Sequence, residues 1–303
     1  MSAHCPLCGS GRSDLLFEAS DFLYGTSIQA QVVQCEQCGL RYLWPQATDW
    51  IEHYPDEYAP YVDKQDSHDI VYSVGYQRGL ARKAKLASQY QTGPLLDIGC
   101  AGGQLLAVLR NYADGHPIWG MDISHRPVQK ATRAPGVGGW VGTARSLPLA
   151  SETLSVVTMW HVLEHLHDPL VILEEISRLL RKDGALILAC PLVDSCEAEM
   201  FGRYWAGYDS PRHLFFYSRD VLRRLLRRTG FEVSEISGVV YGFNSAKISS
   251  AFWLRQNRFF RDHPSLLRAL ATLIGVGVAA ATELISRIFR NRRSVGVFVA
   301  QRH

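Results

Sequence analysis

The stretch LLDIGCAGGQLL, residues 95–106, decides the fold of this chain. It begins as an apolar run, reaches Asp97, and then breaks into glycines and other small residues before it turns apolar again. A buried strand, a tight turn and the start of a helix produce this order of residues, and such a turn lies where an open α/β sheet binds its ligands. Small residues in the turn allow a ligand to approach the backbone closely.

The elements around this turn alternate between two kinds of pattern. Buried parallel strands are predicted at 95–98, 117–123, 154–159 and 185–190, and helices at 103–111, 125–133 and 169–181. Two more strands are predicted at 231–237 and 294–301, with more than fifty residues between them. A length of 303 residues with 47% hydrophobic content suffices for one sizeable core and an added module. The fold class is therefore α/β, with a doubly wound, Rossmann-like sheet.

The residues of the turn restrict the class of ligand. A dinucleotide fingerprint needs G-x-G-x-x-G, whereas this chain has Gly99, Ala101 and Gly103 in a different register. Asp97 would repel a pyrophosphate and suits a ligand with positive charge at this point. Asp122, 25 residues further on, ends the next strand, where a carboxylate accepts hydrogen bonds from both hydroxyls of a ribose. The two carboxylates and the turn together favour a nucleoside.

Four motifs in order resemble the class I S-adenosylmethionine-dependent methyltransferases over about residues 92–240, namely LLDIGCAGG, MDIS, SLPLASETLSVVTMWHVLEHLHDP and LLRKDGALILACP. The resemblance implies a methyltransferase with S-adenosylmethionine as its methyl donor. Thr143 stands where many relatives have an Asp that meets the adenine, so the contact is expected at Thr143 and the backbone of Ala144. The cofactor-binding residues that it implies are Asp97, Gly99, Cys100, Ala101, Gly103, Asp122, Ile123, Thr143, Ala144 and Trp160.

Two Cys-x-x-Cys-Gly knuckles, Cys5/Cys8 and Cys35/Cys38, precede this domain. Four thiolates at this spacing predict a closed tetrahedral site for Zn²⁺, and a closed site is structural. Four unrelated buried cysteines are the alternative. The first twelve residues lack the pattern of a secretory signal, which predicts a reducing, cytoplasmic location, either free or peripheral at the inner face of the membrane.

The chain is expected to divide into a zinc ribbon at 1–45, a connector with a helix at 46–91, and a methyltransferase domain at 92–303. The aromatic and Pro-rich composition of residues 42–62 predicts an ordered connector. Bacterial methyltransferases of cell-surface glycan and lipid biosynthesis carry a similar ribbon and a segment similar to YWAGYDSPRHLFFYS. The resemblance thus implies a sugar, a lipid-linked molecule or another small molecule as the acceptor.

Catalytic candidates follow the fourth predicted strand. His161 is expected to act as general base or to orient the acceptor, and capping of the strand is the alternative. Residues 199–217 are interpreted as a lid on the acceptor side, in which Tyr204 and His213 are the further catalytic candidates. Stacking and polar contacts to the acceptor are also expected from Arg203, Trp205 and Arg212, with packing of the aromatic residues as the alternative.

Glu164, His165 and His213 carry the ligand types of a divalent metal site. The first two lie three and four residues after His161, so their side chains are able to converge. Helix capping or substrate contact is the favoured interpretation of these residues at this stage, and a catalytic metal is the alternative.

The segment between the last two strands, residues 245–292, is predicted to be a helical insertion. Its basic first half and its uncharged stretch at 269–281 favour contact with a membrane surface, and packing against the domain or a second subunit is the alternative. The arginines at 219–230 are expected to form a solvated helix face.

Two other functions are compatible with parts of the sequence. A nucleic-acid-binding zinc-ribbon protein leaves the two strand-end carboxylates unexplained, and no nucleic-acid partner is expected. A non-catalytic scaffold that binds S-adenosylmethionine is suggested only by Thr143 in place of Asp. The sequence makes no prediction about the oligomeric state.

Overall fold

A computed structural model of the chain describes residues 4–46, 70–236, 243–288 and 292–302. Residues 47–69, which include most of the segment 42–62 predicted to be an ordered connector, therefore lie outside the described residues. The strands are β1 (Ser13–Glu18), β2 (Gln31–Cys35), β3 (Arg41–Trp44), β4 (Leu95–Ile98), β5 (Ile118–Asp122), β6 (Val137–Val141), β7 (Leu154–Trp160), β8 (Leu180–Pro191), β9 (Phe215–Phe216), β10 (Phe231–Ile236) and β11 (Val295–Arg302). The α-helices are α1 (Ile70–Ser88), α2 (Gln104–Leu109), α3 (His125–Ala131), α4 (Pro169–Leu179), α5 (Cys196–Phe201), α6 (Arg219–Arg228), α7 (Phe243–Leu254), α8 (Arg258–Asp262) and α9 (Pro264–Ile288).

The large sheet has seven strands in the order β10-β11-β8-β7-β4-β5-β6. β8, β7, β4, β5 and β6 run parallel, and β11 pairs antiparallel with both β8 and β10. The central strands are apolar along their whole length because helices cover both faces of a parallel sheet. The predicted α/β architecture is confirmed, and the last two predicted strands pair with each other across the long insertion between them.

A second sheet joins the N-terminal segment to the rest of the chain. β1, β2 and β3 form an antiparallel sheet, and β9 extends it through the pairs Tyr42 with Phe215 and Arg41 with Phe216. The N-terminal unit therefore packs on the rest of the chain, because β9, from the segment after β8, is the fourth strand of its sheet.

The expected solvated face of α6 is present only in part. Arg224, Arg227 and Arg228 are exposed, but two of them, Arg224 and Arg228, also bind the N-terminal unit. Arg224 donates a hydrogen bond to the carbonyl of Cys38 at 2.6 Å, and Arg228 donates to the carbonyl of Leu7 at 2.9 Å. Arg219 is buried and donates to Glu235 at 3.2 Å. Backbone carbonyls in the two cysteine knuckles need donors, and the guanidinium groups of the helix supply them.

The insertion forms a helical hairpin in which α7 and α9 pack closely. A Cβ atom on Gly275 would lie 2.8 Å from the Cα of Lys247, so only glycine permits this crossing. The inner face of α7 lies against the domain, where the hydroxyl of Ser249 accepts a hydrogen bond from the backbone N–H of Ala206 at 2.9 Å. The stretch Pro264–Ser286 has the length and apolar composition of a membrane span, but core helices of globular proteins share these properties.

Candidate functional site

A cavity of about 1070 Å³ opens at the carboxyl ends of β4, β5 and β7. Asp97, Asp122 and Trp160 reach it from these three strands, as expected for an open parallel sheet. Of the ten cofactor-binding candidates, nine line this cavity, namely Asp97, Gly99, Cys100, Ala101, Asp122, Ile123, Thr143, Ala144 and Trp160.

Gly103 is the candidate that does not line the cavity. It has a φ of +77° at the start of α2, and a Cβ atom there would lie 2.5 Å from the Cα of Ala131 in α3. Its small size therefore permits α2 and α3 to pack closely, and its positive φ permits the turn that precedes α2.

Asp122 holds the turn in place from the neighbouring strand. Its carboxylate accepts hydrogen bonds from the backbone N–H groups of Ala101 at 3.1 Å and Ser124 at 3.0 Å. Burial raises the pKa of Asp122, against the effect of these backbone donors. Each carboxylate oxygen has a second lone pair, and the side chain lines the cavity, so ribose hydroxyls are suitable further donors.

We expect the Asp122→Ala substitution to weaken binding of S-adenosylmethionine by about 1–3 kcal/mol, or about five- to 150-fold, because charged hydrogen bonds are lost. Isothermal calorimetry measures this change. The Asp168→Ala variant is the matched control, since Asp168 lines the same cavity but pairs with Arg145 at 2.9 Å near the surface. An equal loss in both variants would mean that the general negative charge of the cavity, and not a ribose contact, determines affinity.

Asp97 is a buried carboxylate at the end of β4. It is 3% exposed and accepts a hydrogen bond from the hydroxyl of Thr158 at 2.5 Å. Burial raises the pKa of Asp97 to about 7, although Thr158 and the charge of Lys83 act in the opposite direction. A cation bound beside this carboxylate would compensate the lost hydration and favour the ionised form.

The affinity for S-adenosylmethionine should therefore fall when the pH falls below 7. Protonated Asp97 offers no charge to a cationic ligand, so we expect about a tenfold loss between pH 7 and pH 5.5 if the ligand restores an ordinary carboxyl pKa. Calorimetry across this range measures the loss. In the Asp97→Asn variant the affinity for S-adenosylmethionine should be weaker and should change little with pH. If the affinity of this variant still fell below pH 7, another group would be responsible for the pH dependence.

His161 follows β7 at the rim of the cavity. Its backbone has a φ of +59° and its N–H donates to the carbonyl of Ala189 at 2.9 Å, which directs the chain out of the sheet. Nδ1 of the ring lies 3.3 Å from Oε1 of Glu164, a side chain that is 1% exposed. Burial would raise the pKa of Glu164, but the neighbouring imidazoles, His161 first among them, outweigh it and lower the pKa. An ionised buried carboxylate thus lies behind the imidazole and can stabilise its protonated form.

Glu164, His165 and His213 lie together, and the sequence spacing had indicated such proximity only for the first two. One ligand atom from each lies within 4.8 Å of the other two. Nδ1 of His165 is 3.0 Å from the carbonyl of Arg212, and Nδ1 of His213 is 2.8 Å from the carbonyl of Gly207. Burial lowers the pKa of His165 to about 4, so this ring is neutral at pH 7.

The segment interpreted as an acceptor lid contributes only His213 to the cavity. Tyr204 packs on Phe22 with ring centroids 5.3 Å apart and does not line the cavity. Arg212 is buried and forms ion pairs with Asp21 at 2.8 Å and Asp209 at 2.6 Å. It therefore ties the segment to the N-terminal unit and does not line the cavity, contrary to the expected polar contact with the acceptor.

Sequence reasoning missed the cavity residues that come from distant parts of the chain. Lys83 of α1 places its ammonium 4.6 Å from the ring centre of Trp160, and Tyr76 of the same helix also lines the cavity. Pro6 and Gln46 reach it from the N-terminal unit. The basic face of α1 was a visible signal, but no local pattern assigns residues 6 and 46 to this site.

The four knuckle cysteines form one cluster in which a ligand sulfur from each lies within 4.8 Å of the others. The two knuckles have the same hydrogen bonds, from Gly9 N–H to Cys5 O at 2.8 Å and from Gly39 N–H to Cys35 O at 2.9 Å. Burial acts against ionisation of Cys35, yet backbone N–H groups lower its pKa to about 7. Four soft sulfur donors in this arrangement fit Zn²⁺.

Comparisons with known proteins agree with this geometry. A family model described as a methyltransferase domain matches residues 74–236, more than half of the chain. A protein of Mycolicibacterium smegmatis named "Probable S-adenosylmethionine-dependent methyltransferase" is 26% identical over 188 residues, which cover 60% of this chain and 65% of the relative. A ubiquinone biosynthesis O-methyltransferase of Parvibaculum lavamentivorans is 26% identical over 170 residues, covering 52% of this chain and 66% of the relative. The match thus spans slightly less than two thirds of either relative's own length.

Among solved structures, a complex of the Haloferax volcanii Trm112 methyltransferase activator with a methyltransferase is similar in fold, at 19% identity and a TM-score of 0.50. The similarity covers 77% of this chain and 95% of the solved chain. The strand-end carboxylates, the turn between them and the matching family model lead to one conclusion. The chain belongs to the methyltransferase-domain family and is similar to S-adenosylmethionine-dependent methyltransferases.

Proposed function

We propose that this protein transfers a methyl group from S-adenosylmethionine to an oxygen of a small glycan-derived or lipid-linked acceptor, and that a structural Zn²⁺ holds its ribbon through Cys5, Cys8, Cys35 and Cys38. The observation that carries the proposal is that one cavity contains two kinds of polar group. Asp97 and Asp122 line it at the strand ends, and three histidines, His161, His165 and His213, line it as well. The O-methyltransferase names of several relatives support an oxygen acceptor.

S-adenosylmethionine, when bound, supplies a methyl group on a positively charged sulfur. Asp97 would bind the positively charged part of the donor, and Asp122 would accept hydrogen bonds from its ribose hydroxyls. His161 would accept the proton of the acceptor hydroxyl, and Glu164 would stabilise the resulting imidazolium. The cavity volume of about 1070 Å³ accommodates a nucleoside together with a second small molecule.

Calorimetry with S-adenosylmethionine and S-adenosylhomocysteine tests the donor site, and turnover with hydroxylated sugar nucleotides and prenyl-linked saccharides tests the acceptor. We expect binding of both nucleosides and turnover with a member of this panel. No binding at millimolar concentration, or a preference for a nicotinamide coenzyme, would overturn the donor assignment. Binding without turnover across the panel would favour the non-catalytic scaffold, and salt-dependent binding of DNA or RNA would favour the nucleic-acid-binding alternative.

The outer face of the helical hairpin supports a lipid-linked acceptor. Apolar side chains remain exposed along α9, with Leu273 at 68% and Val276 at 52%, and Trp253 of α7 is 52% exposed. Arg255 and Arg261 are exposed at the tip of the hairpin, between α7 and α9, where they would meet anionic head groups. We infer that this face contacts an anionic membrane surface.

Flotation with phosphatidylglycerol vesicles tests this contact. The protein should float with the vesicles, and a Leu273→Ser, Val276→Ser double variant should float much less, because both side chains leave the apolar face. The matched control is Leu15→Ser, Val171→Ser, since these exposed apolar residues lie in β1 and α4, outside the hairpin and outside α5, which packs on it. Protein that stays in the soluble fraction, or that forms dimers through this face instead, would remove the membrane contact.

A further inference from the structure

The carboxylate of Glu164 is buried without a hydrogen-bond donor among the described residues. Both of its oxygens are buried, and neither has hydrogen-bond geometry with any residue in the described ranges 4–46, 70–236, 243–288 and 292–302. Nδ1 of His161 lies 3.3 Å from Oε1, and Oε2 has no donor among the described residues. Buried carboxylates are normally satisfied, so an orphaned one indicates a ligand at this point.

The two histidines of the cluster are oriented by the backbone. A carbonyl oxygen only accepts hydrogen bonds, so the Nδ1 atoms that face Arg212 O at 3.0 Å and Gly207 O at 2.8 Å must carry the protons. In a neutral ring Nε2 then carries a lone pair. Metal-ligating histidines are fixed in this way, with the other ring nitrogen donating to a carbonyl or carboxylate.

We propose that Glu164, His165 and His213 bind a divalent transition-metal ion at the wall of the cavity, separate from the zinc of the ribbon. Their ligand atoms lie within 4.8 Å of one another, which matches three ligands around one ion. Two imidazoles and one carboxylate are a recurrent ligand set for first-row transition metals, and imidazole disfavours Mg²⁺. His165 and His213 line the cavity, so an ion held by three protein ligands would keep an open position toward the acceptor.

The open position would give the metal a role in catalysis, and this part of the inference rests on the proposed function. An acceptor hydroxyl bound there would have a lower pKa and would pass its proton more readily to the imidazole of His161. Glu164 would then have one oxygen toward the ion and the other toward Nδ1 of His161.

Cobalt titration of the zinc-loaded protein tests the site directly. We expect one Co²⁺ per chain with weak visible absorption and without the thiolate charge-transfer band that Co²⁺ in the ribbon would show. The His213→Ala and Glu164→Gln variants should lose at least about 100-fold in Co²⁺ affinity, since even outer-sphere partners contribute up to that much. His167→Ala is the matched control, because His167 lines the same cavity outside the cluster, and it should retain the affinity of the parent protein.

A measurement on the unaltered protein guards against variants that fail to fold. Substoichiometric Mn²⁺ should broaden the NMR resonances of the His165 and His213 rings before those of His116 and His125, which lie outside the cluster. No Co²⁺ or Mn²⁺ binding beyond the ribbon, or equal binding in folded His213→Ala and Glu164→Gln variants, would overturn the proposal. Calorimetry with S-adenosylmethionine on the same samples separates this outcome from failure of the donor site.

Discussion

Replacement of Cys35 by Ser should reduce the zinc content of the protein and lower its melting temperature by on the order of 10 °C. Cys35 is fully buried at the end of β2, next to β3, whose other edge pairs with β9. Structural zinc contributes about 10–16 kcal/mol to the folding of isolated zinc-finger peptides, and losing one thiolate removes a large part of that contribution. Loss of the zinc should also destabilise the methyltransferase domain, because Arg224 and Arg228 of α6 donate hydrogen bonds to carbonyls of the knuckles.

Metal analysis and differential scanning calorimetry measure this effect. Cys196→Ser is the matched control, since Cys196 is a partly buried cysteine outside the cluster and should leave both zinc content and melting temperature unchanged. A chelator should lower the melting temperature of the parent protein but have little further effect on Cys35→Ser. Equal melting temperatures with and without metal would show that the four thiols stabilise the ribbon by packing alone.

The sequence predicted those parts of the fold that depend on local pattern. The four buried strands β4, β5, β7 and β8 occur where their apolar runs lie, because each run is covered on both faces and needs no partner to be recognised. β6 was missed, since two consecutive glycines interrupt the apolar residues of its sequence VGGWV and glycine is depleted in strands. β9 was also missed, because two residues carry no periodicity and its pairing with Tyr42 spans more than 170 residues of chain.

The site shows the same limit. Asp97 and Asp122 were predictable because a strand end and a turn place them, whatever the rest of the chain does. His213 lies next to His165 only because the segment after β8 returns along β3, and the ring centroids end 4.5 Å apart. The same return buries Arg212 against Asp21, which composition alone does not distinguish from a residue that binds substrate. Contacts that depend on tertiary packing were therefore the ones that sequence reasoning assigned least well.

Replacement of His161 by Ala should slow turnover by about 10²–10⁴-fold, the usual contribution of a general base, while leaving the affinity for S-adenosylmethionine nearly unchanged. The imidazole lies at the cavity rim, and Oε1 of Glu164 lies 3.3 Å from its Nδ1. Steady-state kinetics against pH give the loss in kcat, and calorimetry gives the affinity. The His161→Ala profile should also lack the limb on the acidic side that protonation of the base produces.

The backbone at His161 requires a second variant, because its φ of +59° is a conformation that Asn adopts more readily than Ala does. His161→Asn should therefore keep the left-handed turn without supplying a base, and it should be about as slow as His161→Ala. If Asn restored turnover, the effect of Ala would come from the strained turn and not from the imidazole. Glu164→Gln should slow turnover as well, since a neutral amide stabilises the protonated ring less than a carboxylate does. Full activity in both His161 variants would mean that solvent, and not His161, takes the proton of the acceptor hydroxyl, and it would leave His161 as the residue that follows β7.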